Sequence, residues 1–337
     1  MDPISQATFG GIFSQAFSSK KKIVAASMVG IIAGLSPDLD IFIRSGEDPL
    51  FRLEYHRQFT HSLIFIPFGA LIVTVFTRLI FFKSLSFFEN YIFAILGYAT
   101  HGFLDACTSY GTQLMWPFSN ERYAWNNISI IDPLLTIPIL FFLILTIFCK
   151  KKFFSIISIL WIFIYLGFGI FQNSEAKKSA IKLAESRNHD FKKLTVKPSF
   201  GNLFLWKVIY LHEDNYFVDA INLLGENKFC LGMTIPKLDL EKHYKDLDTK
   251  NKQFEDIKRF QWFSQGYLGY DKIKDIITDV RYSAVPNEVD GLWGIKIIKD
   301  PSYLGHVKWV ENRSDYKERW GRFSKMLFGD ECKKLNE

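Results

Sequence analysis

The first half of the chain consists of long apolar runs separated by short basic clusters, and the second half of short alternating runs broken by charge. Residues 62–82 read SLIFIPFGALIVTVFTRLIFF, and the only charge, Arg78, lies near the end, where its side chain can snorkel to an interface. A run of that length crosses the roughly 30 Å hydrocarbon core of a bilayer as a helix. Residues 128–149 and 153–171 supply two more spans, and the Lys150, Lys151, Lys152 link between them is short enough to make a helical hairpin. Segments 23–43 and 90–110 are equally long but carry Asp38, Asp40, His101 and Asp105, so they are expected to line the interior of a bundle. Residues 3–19 are apolar at helical spacing and form either a sixth helix or a segment along the interface. No basic region precedes an apolar core there, so a cleavable leader is not expected.

Beyond Gln172 the pattern becomes charged and mixed. A helix is expected over 174–187, strands over 203–211, 216–223 and 294–298, and turns at Gly266, Gly269, Pro286 and Gly291. The expected architecture is an all-α polytopic membrane helix bundle of five to six spans over 1–172 and a helical linker over 173–189. A soluble α+β domain with a β-rich core follows over 190–311, and a charged tail over 312–337. Lys20, Lys21 and Lys22, then Arg78 with Lys83, then Lys150, Lys151 and Lys152 fall at alternate turns, which the positive-inside rule places in the cytoplasm. The N-terminus, the loops 36–61 and 107–127, and everything after residue 171 are then expected on the extracytoplasmic side.

Composition sharpens this division. The 48% hydrophobic and 17% aromatic content averages an apolar half with a charged one. The net charge of +6 is spent in clusters between spans and not in a stripe interleaved with aromatics, so nucleic acid is not an expected partner. Trp116, Trp125 and Trp161 are expected in an interfacial belt. The cysteines at 107, 149, 230 and 332 have no CxxC spacing and are read as scattered apolar fillers.

The candidate chemistry lies at the outer ends of the expected spans. Pro37 makes a tight helix exit that lets Asp38 and Asp40 turn toward one point, His56 and His61 flank the entry into the next span, and His101 and Asp105 share a helix face four residues apart. Each ionisable group within a membrane costs roughly 2.5–3.5 kcal/mol on insertion scales, so a cation or mutual pairing must offset several of them. Imidazole with carboxylate suits zinc, with manganese or iron as alternatives, and more than four such ligands have room for two metals that activate water. The plainer alternatives are a His101–Asp105 pair inside the bundle with the rest interfacial, or a proton relay. Asp132 before Pro133 fits a helix cap better than a ligand.

These residues resemble the YdjM-like family of bacterial inner-membrane metal-dependent hydrolases. The resemblance rests on Met1-Asp2-Pro3, Ser36-Pro37-Asp38-Leu39-Asp40, His56-Arg57-x-Phe59-Thr60-His61-Ser62, and the stretch from His101 and Asp105 to Gly111-Thr112. It extends to Pro117-Phe118-Ser119 with Arg122 and to Ile131-Asp132-Pro133. In the second half, Phe260 to Gly266 and Asp279-Val-Arg281-Tyr282 resemble longer members. The resemblance implies a multi-pass protein of the bacterial cytoplasmic membrane. It further implies metal-dependent hydrolysis, with a relation to zinc-dependent phospholipases, but supplies no substrate. Joined to the cluster read above, the expectation is a divalent metal on Asp38, Asp40, His56, His61, His101 and Asp105, and hydrolysis of a lipid or another phosphoryl or acyl ester at the outer face. Asp38 or Asp40 would act as ligand or general base. Arg57 and Arg122 are the candidates to hold an anionic substrate group, because a guanidinium offers a planar bidentate fork. Gln6 stands where members of the family carry a histidine, which implies a weaker site. A non-enzymatic protein with a structural metal and a partner-docking domain, and a transporter using the His and Asp cluster, are the competing readings.

Overall fold

The computed structural model describes residues 1–81, 83–245, 247–300, 302–312 and 316–335. Phe82, at the end of an expected span, and Arg313, Ser314, Asp315, Asn336 and Glu337 of the expected tail lie outside the described residues. The chain divides into two units. The first comprises Met1–Ile43, Tyr55–Phe171 and Phe200–Asn202, and the second comprises Arg44–Glu54, Gln172–Ser199 and Leu203–Glu337.

The first unit is helical: α1 (Pro3–Phe17), α2 (Ile23–Leu35), α4 (Ile66–Phe81), α5 (Phe87–Cys107), α6 (Pro133–Cys149) and the start of α7 (Phe153–Ser186). The short α3 (Phe51–Tyr55) lies in the connection between α2 and α4. On α4 the large residues Ile72, Phe76, Leu79 and Ile80 are exposed, whereas Gly69, Ala70, Val73, Thr74 and Thr77 are buried. A helix that keeps its small and hydroxyl-bearing residues inside and its bulky apolar ones outside is arranged for lipid, where close backbone approach and hydrogen bonds hold helices together. Thr77 Oγ1 donates to Asn90 Oδ1 at 2.8 Å, and Ser14 Oγ donates to the Phe93 carbonyl at 2.9 Å.

Residues 3–19 form α1, and α1 packs within the bundle. A Cβ on Gly10 would lie 2.2 Å from the Gly30 carbonyl oxygen, one on Gly34 would lie 2.5 Å from that of Gln6, and one on Gly97 would lie 2.5 Å from that of Gly30. Helices α1, α2 and α5 therefore touch backbone to backbone.

The expected count of five to six spans is not supported. Among the described residues three helical stretches, Ile23–Phe42, Leu63–Phe81 and Phe153–Ser186, are long and apolar enough to cross a membrane. Pro133–Cys149 is apolar but shorter, α1 has only 15 residues, and α5, although 21 residues long, carries Glu89, Asn90, His101 and Asp105. The helix expected over 174–187 is the continuation of α7, which runs unbroken through Gln172.

The second unit contains two antiparallel four-stranded sheets. The first is β1 (Phe191–Pro198), β2 (Leu205–His212), β3 (Asn215–Asn222) and β4 (Lys228–Pro236), in sequence order. After the short helices α8 (Leu240–His243) and α9 (Lys252–Phe263) comes the second sheet, also in sequence order: β5 (Leu268–Asp271), β6 (Ile276–Asp279), β7 (Trp293–Lys296) and β8 (Lys308–Glu311). Within this unit Arg259 holds the inserted segment Arg44–Glu54, with contacts of 2.6 Å to Glu54 and 2.8 Å to Asp48.

The expected tail contains α10 (Tyr316–Phe328), whose Phe323 and Met326 share a core cluster with Leu205, Ala220 and Val285. Cys230 and Cys332 in the same cluster form a disulfide that closes 102 residues of sequence separation, so the reading of all four cysteines as apolar fillers is corrected for these two. Cys107 and Cys149 are free thiols. Alkylation of the denatured, unreduced protein is expected to modify Cys107 and Cys149 only, as read by mass spectrometry. Cys332→Ser is expected to cost the second unit about 2–5 kcal/mol, measured by thermal unfolding; four reactive thiols would contradict the pairing.

Candidate metal centre

The site is built where α2 ends. From Ser36 the chain tightens into a 3₁₀ segment, Ser36–Phe42, and Pro37 has no N–H to offer the Gly34 carbonyl in that geometry. The His101 ring on α5 takes up that carbonyl instead, with Nδ1 2.5 Å from the Gly34 oxygen. Nδ1 is thereby the protonated nitrogen, and the Nε2 lone pair points the other way. Asp105, one turn further along α5, is fully buried with it.

His61 lies at the end of a short 3₁₀ turn, Phe59–His61, after the left-handed residue Arg57. The φ of 66° at Arg57 is costly for a non-glycine residue, and its backbone N–H is fixed by donation to Asp40 Oδ2 at 3.0 Å. The same Asp40 oxygen accepts from Thr60 Oγ1 at 2.8 Å and lies 3.3 Å from His61 Nδ1. Asp40 Oδ1 pairs with His56 Nδ1 at 2.7 Å.

Four ligand-type atoms then converge. His61 Nε2 and His101 Nε2 lie 3.5 and 3.4 Å from Asp38 Oδ1, and 3.3 and 3.7 Å from Asp105 Oδ2. All four atoms lie within 4.8 Å of one another. Bonds of about 2.0–2.1 Å in a tetrahedron set neighbouring ligand atoms about 3.3 Å apart, so the group has the size of a four-coordinate metal site. Among the described residues these same four atoms, and Gln6 Oε1, are buried with no hydrogen-bond partner. Leaving that many polar atoms unsatisfied is expensive, and a cation at their common centre satisfies them together. The residues present therefore fit a divalent metal.

A second group, Asp38, Asp40 and His56, also has ligand spacing. Its Asp40 and His56 atoms are already engaged with each other and with Arg57 and Thr60. A third group, Asp48, Asp256 and His306, lies in the second unit. There Arg259 contacts both carboxylates at 2.8 Å, and His306 Nδ1 lies 3.0 Å from Asp256, so their charge is already met.

Gln6 is fully buried beside the first group and donates from Nε2 to Asp105 Oδ1 at 2.9 Å; the Met1 α-amine contacts the same oxygen. Arg57 Nε is 3.0 Å from Asp105 Oδ2, and its guanidinium lies 4.6 Å from the centre of the Tyr110 ring. Arg122 lies over the same ring at 5.5 Å and donates to the Gly111 carbonyl at 2.8 Å. Gly111, with φ 93°, leaves room there: a Cβ would sit 3.0 Å from that of Arg122. The Asp38 side chain is 23% exposed, whereas those of His61, His101 and Asp105 are at 0%, so the group opens on the Asp38 side.

Asp132 belongs to neither group. It caps α6, accepting from Leu135 N, and receives the Tyr165 hydroxyl at 2.7 Å. Residues given no role from sequence also take part: Thr60 hydrogen-bonds both Asp40 and His61, the Tyr110 ring lies against both arginines, and the Gly34 carbonyl sets the His101 ring. Thr60 and Tyr110 sit inside the motif stretches, but a carbonyl leaves no mark on a side-chain pattern.

Residues 1–176 match the family described as YdjM inner membrane protein. The uncharacterized protein YfhP of Bacillus subtilis (strain 168) is 30% identical over 113 residues, which is 33% of this chain. The chain spans about a third of the length of that curated relative, 34%. No solved structure matches the chain.

Asp132→Ala is expected to destabilise the first unit by about 0.5–2 kcal/mol through loss of the cap while leaving metal content unchanged. Thermal unfolding and elemental analysis of the same preparation check both halves, and loss of metal would return Asp132 to the site.

Proposed function

The chain belongs to the YdjM inner membrane protein family, and from that premise we propose that it is a multi-pass, metal-dependent hydrolase of the bacterial cytoplasmic membrane. In this reading Asp38, His61, His101 and Asp105 hold one divalent transition metal, zinc in the first instance. The substrate is a lipid or another phosphoryl or acyl ester reached from the outer face. The observation that carries it is the convergence, at tetrahedral spacing, of four buried N and O atoms that make no hydrogen bond. When bound, such an ion polarises an ester oxygen and acidifies water.

The chain's own residues do the rest. Asp38, the exposed member, faces the side from which substrate and water arrive and is placed to take a proton. Asp40 keeps His56 and His61 oriented, and the Gly34 carbonyl does so for His101. Arg57 and Arg122, both held against the Tyr110 ring, offer guanidinium donors to an anionic substrate group. The second group, with its atoms already hydrogen-bonded, favours one ion per chain over two. Gln6 contributes an amide oxygen, a weaker donor than imidazole.

The outer-face placement is supported by two independent features. The lysine clusters favour an extracytoplasmic C-terminal domain, and its Cys230–Cys332 disulfide suits an oxidising compartment. The full burial of His61, His101 and Asp105 favours, as a second reading, a purely structural metal.

His101→Ala and Asp105→Ala are each expected to lose most of the bound metal, whereas Gln6→His is expected to tighten binding by about tenfold, both read by titrating zinc into stripped protein. Full retention in both alanine variants would sink the assignment, and an unchanged curve for Gln6→His would remove position 6 from it. Hydrolysis on a panel of phospholipid and ester substrates separates the two readings: activity lost with the metal supports the enzyme, and metal binding without turnover supports the structural role. A reporter fused after residue 335 is expected to show an extracytoplasmic C-terminus, and a cytoplasmic signal would overturn the topology.

A further inference from the structure

The motif Asp279-Val-Arg281-Tyr282 is not used by the metal centre, and the second unit places it against two buried lysines. Lys197 on β1 and Lys207 on β2 are paired across the strands, so their side chains leave the sheet on one face. That face of β2 also carries Leu205 and Ile209, members of the two apolar clusters of the unit. Lys197 is 8% exposed and Lys207 3%. Lys197 Nζ lies 3.4 Å from the centre of the Tyr282 ring. Lys207 Nζ donates to Ser283 Oγ at 2.7 Å and to the Glu288 carbonyl at 2.8 Å, both neutral acceptors.

The neighbourhood does not supply the missing negative charge. Asp279 is engaged by Arg281, with contacts of 2.9 Å to Oδ1 and 2.7 Å to Oδ2, and the Glu288 carboxylate is engaged by Arg322. Two buried lysine amines thus leave one face of the sheet with both nearby carboxylates already paired to arginines. Protonating them there is costly without a counter-ion.

We propose that Lys197, against the Tyr282 ring, and its cross-strand neighbour Lys207 anchor a binding site for a phosphate oxyanion in the C-terminal domain. Two ammonium groups match a dianion better than a singly charged carboxylate, and the proposal does not depend on the metal centre. Burial first, then the like charges of Arg281 and Lys207, holds the Lys197 amine well below the ordinary lysine range, with Asp279 opposing. Burial pushes Lys207 down to about 7, with Glu288 and Asp279 opposing. A bound dianion favours the protonated form of both amines, so binding takes up protons near neutral pH and weakens as pH rises.

The test uses the full-length, detergent-solubilised protein and inorganic phosphate, titrated calorimetrically in two buffers of different ionisation heat. Saturable binding with proton uptake is expected. It should fall about tenfold or more in Lys197→Met and in Lys207→Met, and persist in His101→Ala, where the metal centre is broken. Lysine acylation of the wild-type protein, mapped by mass spectrometry, covers the case in which a methionine variant fails to fold: phosphate is expected to shield both amines. Shielding by phosphatidic acid vesicles but not by inorganic phosphate assigns the oxyanion to a lipid headgroup, and shielding by inorganic phosphate assigns it to the free ion. Lack of shielding by either ligand, or phosphate affinity unchanged in a folded Lys197→Met protein, would overturn the site.

Discussion

Backbone contact between α1, α2 and α5 at Gly10, Gly30, Gly34 and Gly97 is the constraint on which the candidate metal centre depends. In lipid no hydrophobic effect pulls helices together, and close packing with interhelical hydrogen bonds must do so. Because these helices meet without intervening side chains, the Gly34 carbonyl reaches the His101 ring and Gln6 reaches Asp105. A β-carbon at Gly34 would have to push α1 away from α2 and carry Gln6 with it. The glycines thus act on chemistry several residues away, through the spacing of the helices.

Electrostatics gives the same cluster its second requirement. Asp38, Asp40 and Asp105 bring three carboxylates into a largely buried region, and Arg57 and the Met1 α-amine answer only part of that charge, both at Asp105. Asp40 is satisfied by its neighbours, whereas Asp38 Oδ1 and Asp105 Oδ2 face two imidazole lone pairs at distances too long for good hydrogen bonds. The division of labour among the acidic residues follows from this. Asp40 is spent on orientation, and Asp38 and Asp105 remain available to a cation.

Much of this was legible in the residues themselves. His101 and Asp105 share a helix face because the α-helical period puts them there, and Pro37 announces the break in helix geometry that turns Asp38 and Asp40 inward. The orienting role of Asp40 was not legible, because Asp-x-Asp carries no sign of which carboxylate meets a threonine hydroxyl and a backbone N–H. The span count failed for a related reason. Helix α5 is long enough to cross a membrane, yet the polar residues that build the site remove it from the plainly apolar class. In the second half, alternation located β2 and β3 to within two residues at each end. The Cys230–Cys332 pairing instead depends on how α10 folds back onto the first sheet, and local spacing does not encode that.

X-ray absorption fine structure at the zinc edge of the loaded, purified protein tests the central claim most directly. The account predicts a first shell of nitrogen and oxygen at about 2.0–2.1 Å, outer-shell scattering from two imidazoles, and no sulfur. A sulfur shell at about 2.3 Å, the absence of imidazole scattering, or failure to retain any metal would contradict it.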